Sequence, residues 1–360
     1  MRGALFAVFL CLGATAAGAA ETFASLPPGL AAVWRIDGRK LDPHGSAWSL
    51  AVFSTDGALV GISDESGTRI YRARDGALVR MFAPPFWTGQ FAYSLAISTS
   101  GAVALGRLGS VDFYSTMDAR DPQRYYCAGS CGPVSAVEFS PDGRWLAFQA
   151  ARGALEPTPG LVTVIDLRTN AEPLALEASA TRTQVQFAHD GSSLLAANML
   201  RVDDSGSFGL RTWSAASWRR VRDVPGSVLP KGTVGPYALN ERVAAYQRNG
   251  RFELRDLASG KVVWLVPLAP PPLDGPHVEG AARLDLVAFA PRGDLALSYE
   301  SPAERDAPGT LVLRQLHDGA TLAMYEVSHV SALAFAPDGE SFVYTTGAGR
   351  TYTVVARVPR

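Results

Sequence analysis

The chain has little cysteine, little histidine and no excess of charge of either sign. Three Cys and five His stand among 360 residues, and 33 Lys and Arg nearly balance 34 Asp and Glu. A net charge of −1 argues against a nucleic-acid binder, which normally carries a basic face, and no continuous basic cluster occurs along the chain. After the first twenty residues no apolar run is long enough to cross a bilayer, so no membrane span is expected. The Gly-x-Ser-x-Gly elbow, the His-Glu-x-x-His pair and the phosphate-cradling glycine loop are all missing. Asp203-Asp204-Ser205-Gly206 lacks the spaced oxygen ligands of a calcium loop. No catalytic residue, cofactor or metal is therefore read from the sequence.

What the chain does have is turns between apolar runs. Hydrophobic residues make up 47%, with 35 Gly and 24 Pro. The stretch Val134–Phe148 alternates apolar and polar residues, turns at Ser140-Pro141-Asp142-Gly143, and resumes as a second apolar run. Alternation with period two is what a half-buried strand requires. Proline pre-sets the turn backbone, Asp hydrogen-bonds back to it, and Gly accepts a positive φ. The unit is a β-hairpin, and it recurs at Val287–Gly293 and Leu333–Gly339.

Further copies follow. Turn glycines stand at 57, 101, 143, 191, 293 and 339, spaced by 44, 42, 48, 102 and 46 residues. The double gap holds a weaker copy, Tyr237–Tyr246, with Asn240 in the turn and no glycine. Seven repeats of four antiparallel strands result, at the period of propeller blades. The seventh has only three strands before the chain stops, whereas Ala32–Ile36, ahead of a turn at Asp37-Gly38, has no partner nearby. Pairing the two closes the ring and removes exposed strand edges. The expected fold is all-β: one seven-bladed β-propeller over residues 32–360, its ring closed by the N-terminal strand.

The first residues read as an address. Arg2 precedes the apolar run Ala4–Ala17, followed by small residues at 17–20. Residues 1–20 are expected to be a cleaved signal peptide and 21–31 a leader, giving a periplasmic or secreted protein. Cys11 lies in the apolar run, after Val8-Phe9-Leu10, which lacks the small residues of a lipoprotein box. Cys127 and Cys131 then remain, and in an oxidising compartment they are expected to form one disulfide. Copper ligation by the two thiolates is the less favoured alternative.

The hairpins Val137-Glu-Phe-Ser-Pro-Asp-Gly143 and Ser331-Ala-Leu-Ala-Phe-Ala-Pro-Asp-Gly339 resemble those of WD-repeat propellers and their YVTN-type bacterial relatives. The resemblance implies the propeller over residues 32–358 and says little of function. Third strands of WD repeats end in Trp-Asp. Here the corresponding endings are Ile165-Asp166, Trp213-Ser214, Arg255-Asp256 and Arg314-Gln315, so this is a divergent member.

Candidate binding residues lie in long loops on the face where fourth strands lead to first strands and second strands to third. We call that face the top. The loops are Ala151–Gly160 with Glu156, Arg201–Gly209 with Asp203 and Asp204, and Ser301–Gly309 with Glu304, Arg305 and Asp306. A proline-rich connection, Leu268–His277, joins them. Binding and neutral drift in solvent are both open readings of such loops. His44, His277 and His329 precede first strands; hydrogen-bonded bracing of the loops is favoured over convergence on a metal in the channel. His189 and His317 occupy turns on the opposite, bottom face. The leading expectation is a non-enzymatic exported scaffold that holds a protein or peptide partner. The alternatives are an oxidoreductase-associated propeller, similar to the quinone-dependent amine dehydrogenase heavy chain, or a metal-binding propeller.

Overall fold

The structure is a computed structural model, and the residues it describes are 26–40, 49–64, 67–82, 92–127, 131–152, 161–169, 171–177, 183–198, 200–201, 207–228, 233–268, 282–291, 293–302, 308–327, 329–347 and 350–359. The described secondary structure is all strand, gathered into seven antiparallel sheets. Six sheets have four strands, and the fifth blade adds a two-residue strand to its four. First strands of successive blades neighbour one another at six seams, at the seam of blades four and five Thr233–Leu239 lies against Ser193–Asn198, and the seventh blade returns to the first, so the ring closes.

Closure follows the expected route. Ala32–Lys40 pairs with Arg350–Arg357 as the outer strand of the last blade. The turn expected at Asp37-Gly38 does not form. The strand runs on to Lys40, opposite Arg350, and an irregularity between Asp37 and Lys40 absorbs the extra residues.

The hairpin turns show why the sequence repeats. In the third blade Ser140 Oγ donates to Asp142 Oδ1 at 2.6 Å and accepts from the Trp145 amide at 2.9 Å, and Gly143 takes a φ of 67°. Ser54 and Asp56 repeat the construction in the first blade. Asn240 replaces it in the fifth. Its Oδ1 accepts from the amides of Arg242 and Val243 at 2.8 and 2.9 Å, closing a shorter turn with no left-handed residue.

The hydrophobic core is divided. Seven clusters of buried residues each lie between two neighbouring blades, for example Phe139, Leu146 and Phe148 with Val111 and Phe113 at the seam of blades two and three. A blade buries both faces only when its neighbours are present, so the ring stabilises as a whole. Two seams share a further device. Trp34 Nε1 donates to Ala73 O at 2.6 Å and Trp264 Nε1 to Leu316 O at 2.8 Å, each packing over a turn glycine of the next blade. A Cβ on Gly76 or Gly319 would stand 3.0 Å from the indole.

Candidate functional site

Inner strands of a propeller leave one edge unpaired around the central channel, and these backbone groups need partners. Ser94 Oγ donates to Val134 O at 2.7 Å across the seam of blades two and three. Ser49 and Ser331 share a 2.6 Å hydrogen bond between blades one and seven. Longer side chains take over at blades three, four and five. Glu138 Oε1 accepts from the Phe187 amide at 3.2 Å, and Glu241 Oε1 from the His189 amide at 2.5 Å. Gln184 Nε2 donates to Tyr237 O at 3.1 Å.

Where the long side chains stand, the channel keeps a cavity of about 430 Å³. Inner strands of blades three to six and the bottom-face turns form its wall. Val185, Leu239, Val287 and Phe289 supply apolar surface, and Gln184, Gln186 and Glu138 supply polar groups. His189 and Glu241 stand exposed at the mouth. Thr55 contributes an Oγ1 that is buried without a hydrogen-bond partner among the described residues.

Glu138 differs from the other enclosed acids. Asp112 meets Arg107 and Arg124, at 3.3 and 2.6 Å, and Asp166 meets Arg144 at 2.8 Å. Glu253 meets Arg248 and Arg255, and Glu300 meets Arg314. Among the described residues no arginine or lysine lines the Glu138 cavity. Glu138 is partly buried and lines the cavity, and removal from bulk water pushes its pKa up to about 8. The Phe187 amide opposes that rise but does not cancel it.

Among the residues singled out from the sequence, His329 is exposed on the top face between an outer and an inner strand, with a φ of 45°. His189 and His317 are exposed on the bottom face, the latter 3.1 Å from Asp318. Cys127 follows the second blade's outer strand, half-buried, with Sγ 3.2 Å from Gly109 O; Cys131 begins the third blade's inner strand. His44, Glu156, Asp203, Asp204, His277, Glu304, Arg305 and Asp306 lie outside the described residues, as does the signal segment 1–20.

The loop that carries Asp203 and Asp204 is rooted in the scaffold. Leu200–Arg201 adds to the channel-side edge of blade five, with Leu200 opposite Gly235 and Arg201 opposite Val234.

Sequence reasoning missed Glu138, although the repeats contain its signal. The residue two positions before the first turn residue is Val52, Ala96, Glu138, Gln186, Ala238, Ala288 and Ala334 in blades one to seven. Five are small or apolar, one is a carboxamide, and one is an acid.

No protein-family model matches the sequence, and no curated protein does. Solved structures do match in fold. One is a chain from the crystal structure of a mitotic checkpoint complex, with a TM-score of 0.63 at 13% identity over 91% of this chain and 96% of that one. Another is a chain of Kuenenia stuttgartiensis hydrazine synthase, with a TM-score of 0.63 at 15% identity over 90% and 99%. Likeness at such identity shows the shared propeller fold.

Proposed function

We propose that this protein is an exported binding scaffold whose top face holds a protein or peptide partner. The observation that carries the reading is the anchored loop of blade four. A loop drifting in solvent has no need of ladder hydrogen bonds, whereas this one commits Leu200 and Arg201 to the channel-side edge of the next blade. Functional loops are commonly presented in this way by rigid scaffolds. The fold is shared with a chain of a mitotic checkpoint complex, which is a protein assembly, and that supports the same reading. Export rests on Arg2 and the apolar run Ala4–Ala17. The same compartment supports a Cys127–Cys131 disulfide, which would tie the outer strand of blade two to the inner strand of blade three.

The test uses the full chain, expressed with residues 1–20 in place and cross-linked in the periplasm. The reading expects one dominant cross-linked partner, lost when residues 202–206 are replaced by Gly-Ser repeats while the melting temperature holds. Cross-linking that is absent, or indifferent to the loop, would contradict it. A thiol count of zero in the unfolded, unreduced protein supports the disulfide, and a count of two contradicts it.

A further inference from the structure

Burying a carboxyl away from a counter-ion is costly, and the other enclosed acids of this ring avoid that cost by facing an arginine. Glu138 faces a cavity that has none among the described residues. Its Oε1 accepts a single backbone hydrogen bond, and the rest of the carboxyl looks into open space of about 430 Å³. That volume falls within the range of small-ligand sites, roughly 300–1,000 Å³. Thr55 also lines the space, and its hydroxyl is buried without a partner among the described residues. Among the described residues the titratable groups lining the space are Glu138, Glu241, His189 and Tyr237, with no lysine or arginine. The wall between them is largely apolar.

We propose that this bottom-face cavity binds an organic cation, an ammonium or guanidinium on an apolar stem, with Glu138 as its counter-ion. The ligand supplies the positive charge that arginine supplies to Asp112, Asp166, Glu253 and Glu300. Its stem covers Val185, Leu239 and Val287, and Gln186 offers a further polar group. A divalent metal fits less well. Among the described residues no group of three His, Cys, Asp or Glu side chains is placed to hold one. The site lies on the face opposite the top loops and stands independently of the top-face reading.

Binding is coupled to a proton. The empty-site carboxyl holds its proton at neutral pH, because burial raises its pKa to about 8. Docking the cation converts neutral Glu138 to a carboxylate and releases one proton to solvent, so charge is conserved. Affinity therefore rises by about tenfold per pH unit below 8 and levels off above it. A guanidinium stays charged throughout that range, so the dependence reports the protein.

The experiment is isothermal titration of the mature chain with butylguanidinium and butylammonium at pH 6, 7 and 8. Each pH uses two buffers of different ionisation enthalpy. The proposal expects saturable binding that tightens with pH and releases close to one proton at pH 6 and 7. Glu138→Gln is expected to weaken binding at least tenfold and abolish proton release. Ala136→Leu, which fills the cavity from blade three, is expected to block binding with Glu138 intact, and it serves as the second test should Glu138→Gln fail to fold. A blocked Ala-Arg-Ala peptide separates the sources: binding of peptide and small cations assigns the site to a partner's basic side chain, and binding of small cations alone assigns it to a free amine or guanidine. No saturable heat with any cation would overturn the proposal, as would unchanged affinity and proton release in Glu138→Gln.

Discussion

Around the channel, two arcs of the ring solve one problem with different side chains. At the seams of blades seven and one and of blades two and three the inner strands are joined by short hydroxyls, Ser49 with Ser331 and Ser94 with Val134 O, and between blades one and two the Thr55 amide donates to Ile97 O. From blade three to blade five the same edge groups are met by Glu138, Gln184 and Glu241, and a cavity remains. A serine satisfies a backbone group as well as a glutamate does, without desolvating a carboxyl. The short arc therefore shows what closure alone requires. The long arc carries chemistry that closure does not need, and this difference is what marks it as a site.

The contrast can be broken first on the short arc. A Cβ at Gly106 would stand 2.1 Å from Ser94 Oγ and 2.7 Å from Val134 O, and the second of these is backbone. Gly106→Val is expected to cost about 3 kcal/mol by forcing blades two and three apart, measured by urea unfolding. Trp264→Phe, which removes the indole donor to Leu316 O, is expected to cost about 1–2 kcal/mol by the same assay. Ser94→Ala should cost about 1 kcal/mol, since Val134 O loses its side-chain donor. Glu241→Gln sits at the exposed mouth and keeps an oxygen for the His189 amide, so its effect should stay within about 0.5 kcal/mol. An order reversed between Ser94→Ala and Glu241→Gln would remove the distinction between the arcs.

How much of this was legible in the sequence depends on what the repeats impose. Turn residues such as Ser140, Asp142 and Gly143 act through bonds within a few positions, so the hairpins and their number could be read directly. The closing strand was visible because Trp34 and Ile36 belong to an apolar segment without a local partner. Its far end was not, because continuing past Gly38 depends on Arg350, a residue remote in sequence. The candidate site was hidden for the same reason. Glu138 sits in a strand that reads as ordinary alternation. Its meaning comes from Phe187 on the next blade and from a cavity without arginine among the described residues, and neither is a local property. Top-face loops drew notice through length and composition, signals that are independent of the channel's lining.

The account turns on Glu138 being a carboxyl that the ring holds at a cost. Because its pKa is raised in the folded protein, the stability it permits is full below the unfolded value of 4.5 and falls as pH rises through about 8. Glu138→Gln keeps an acceptor for the Phe187 amide and has no proton to lose. Unfolding free energy from pH 5 to 9 for the two proteins is the most direct measurement. The two curves are expected to lie close together at pH 5 and to diverge towards pH 8, with the variant more stable by up to about 3 kcal/mol. Parallel curves, or a variant that is less stable at pH 8, would show that Glu138 belongs to the architecture of the ring and would contradict the account.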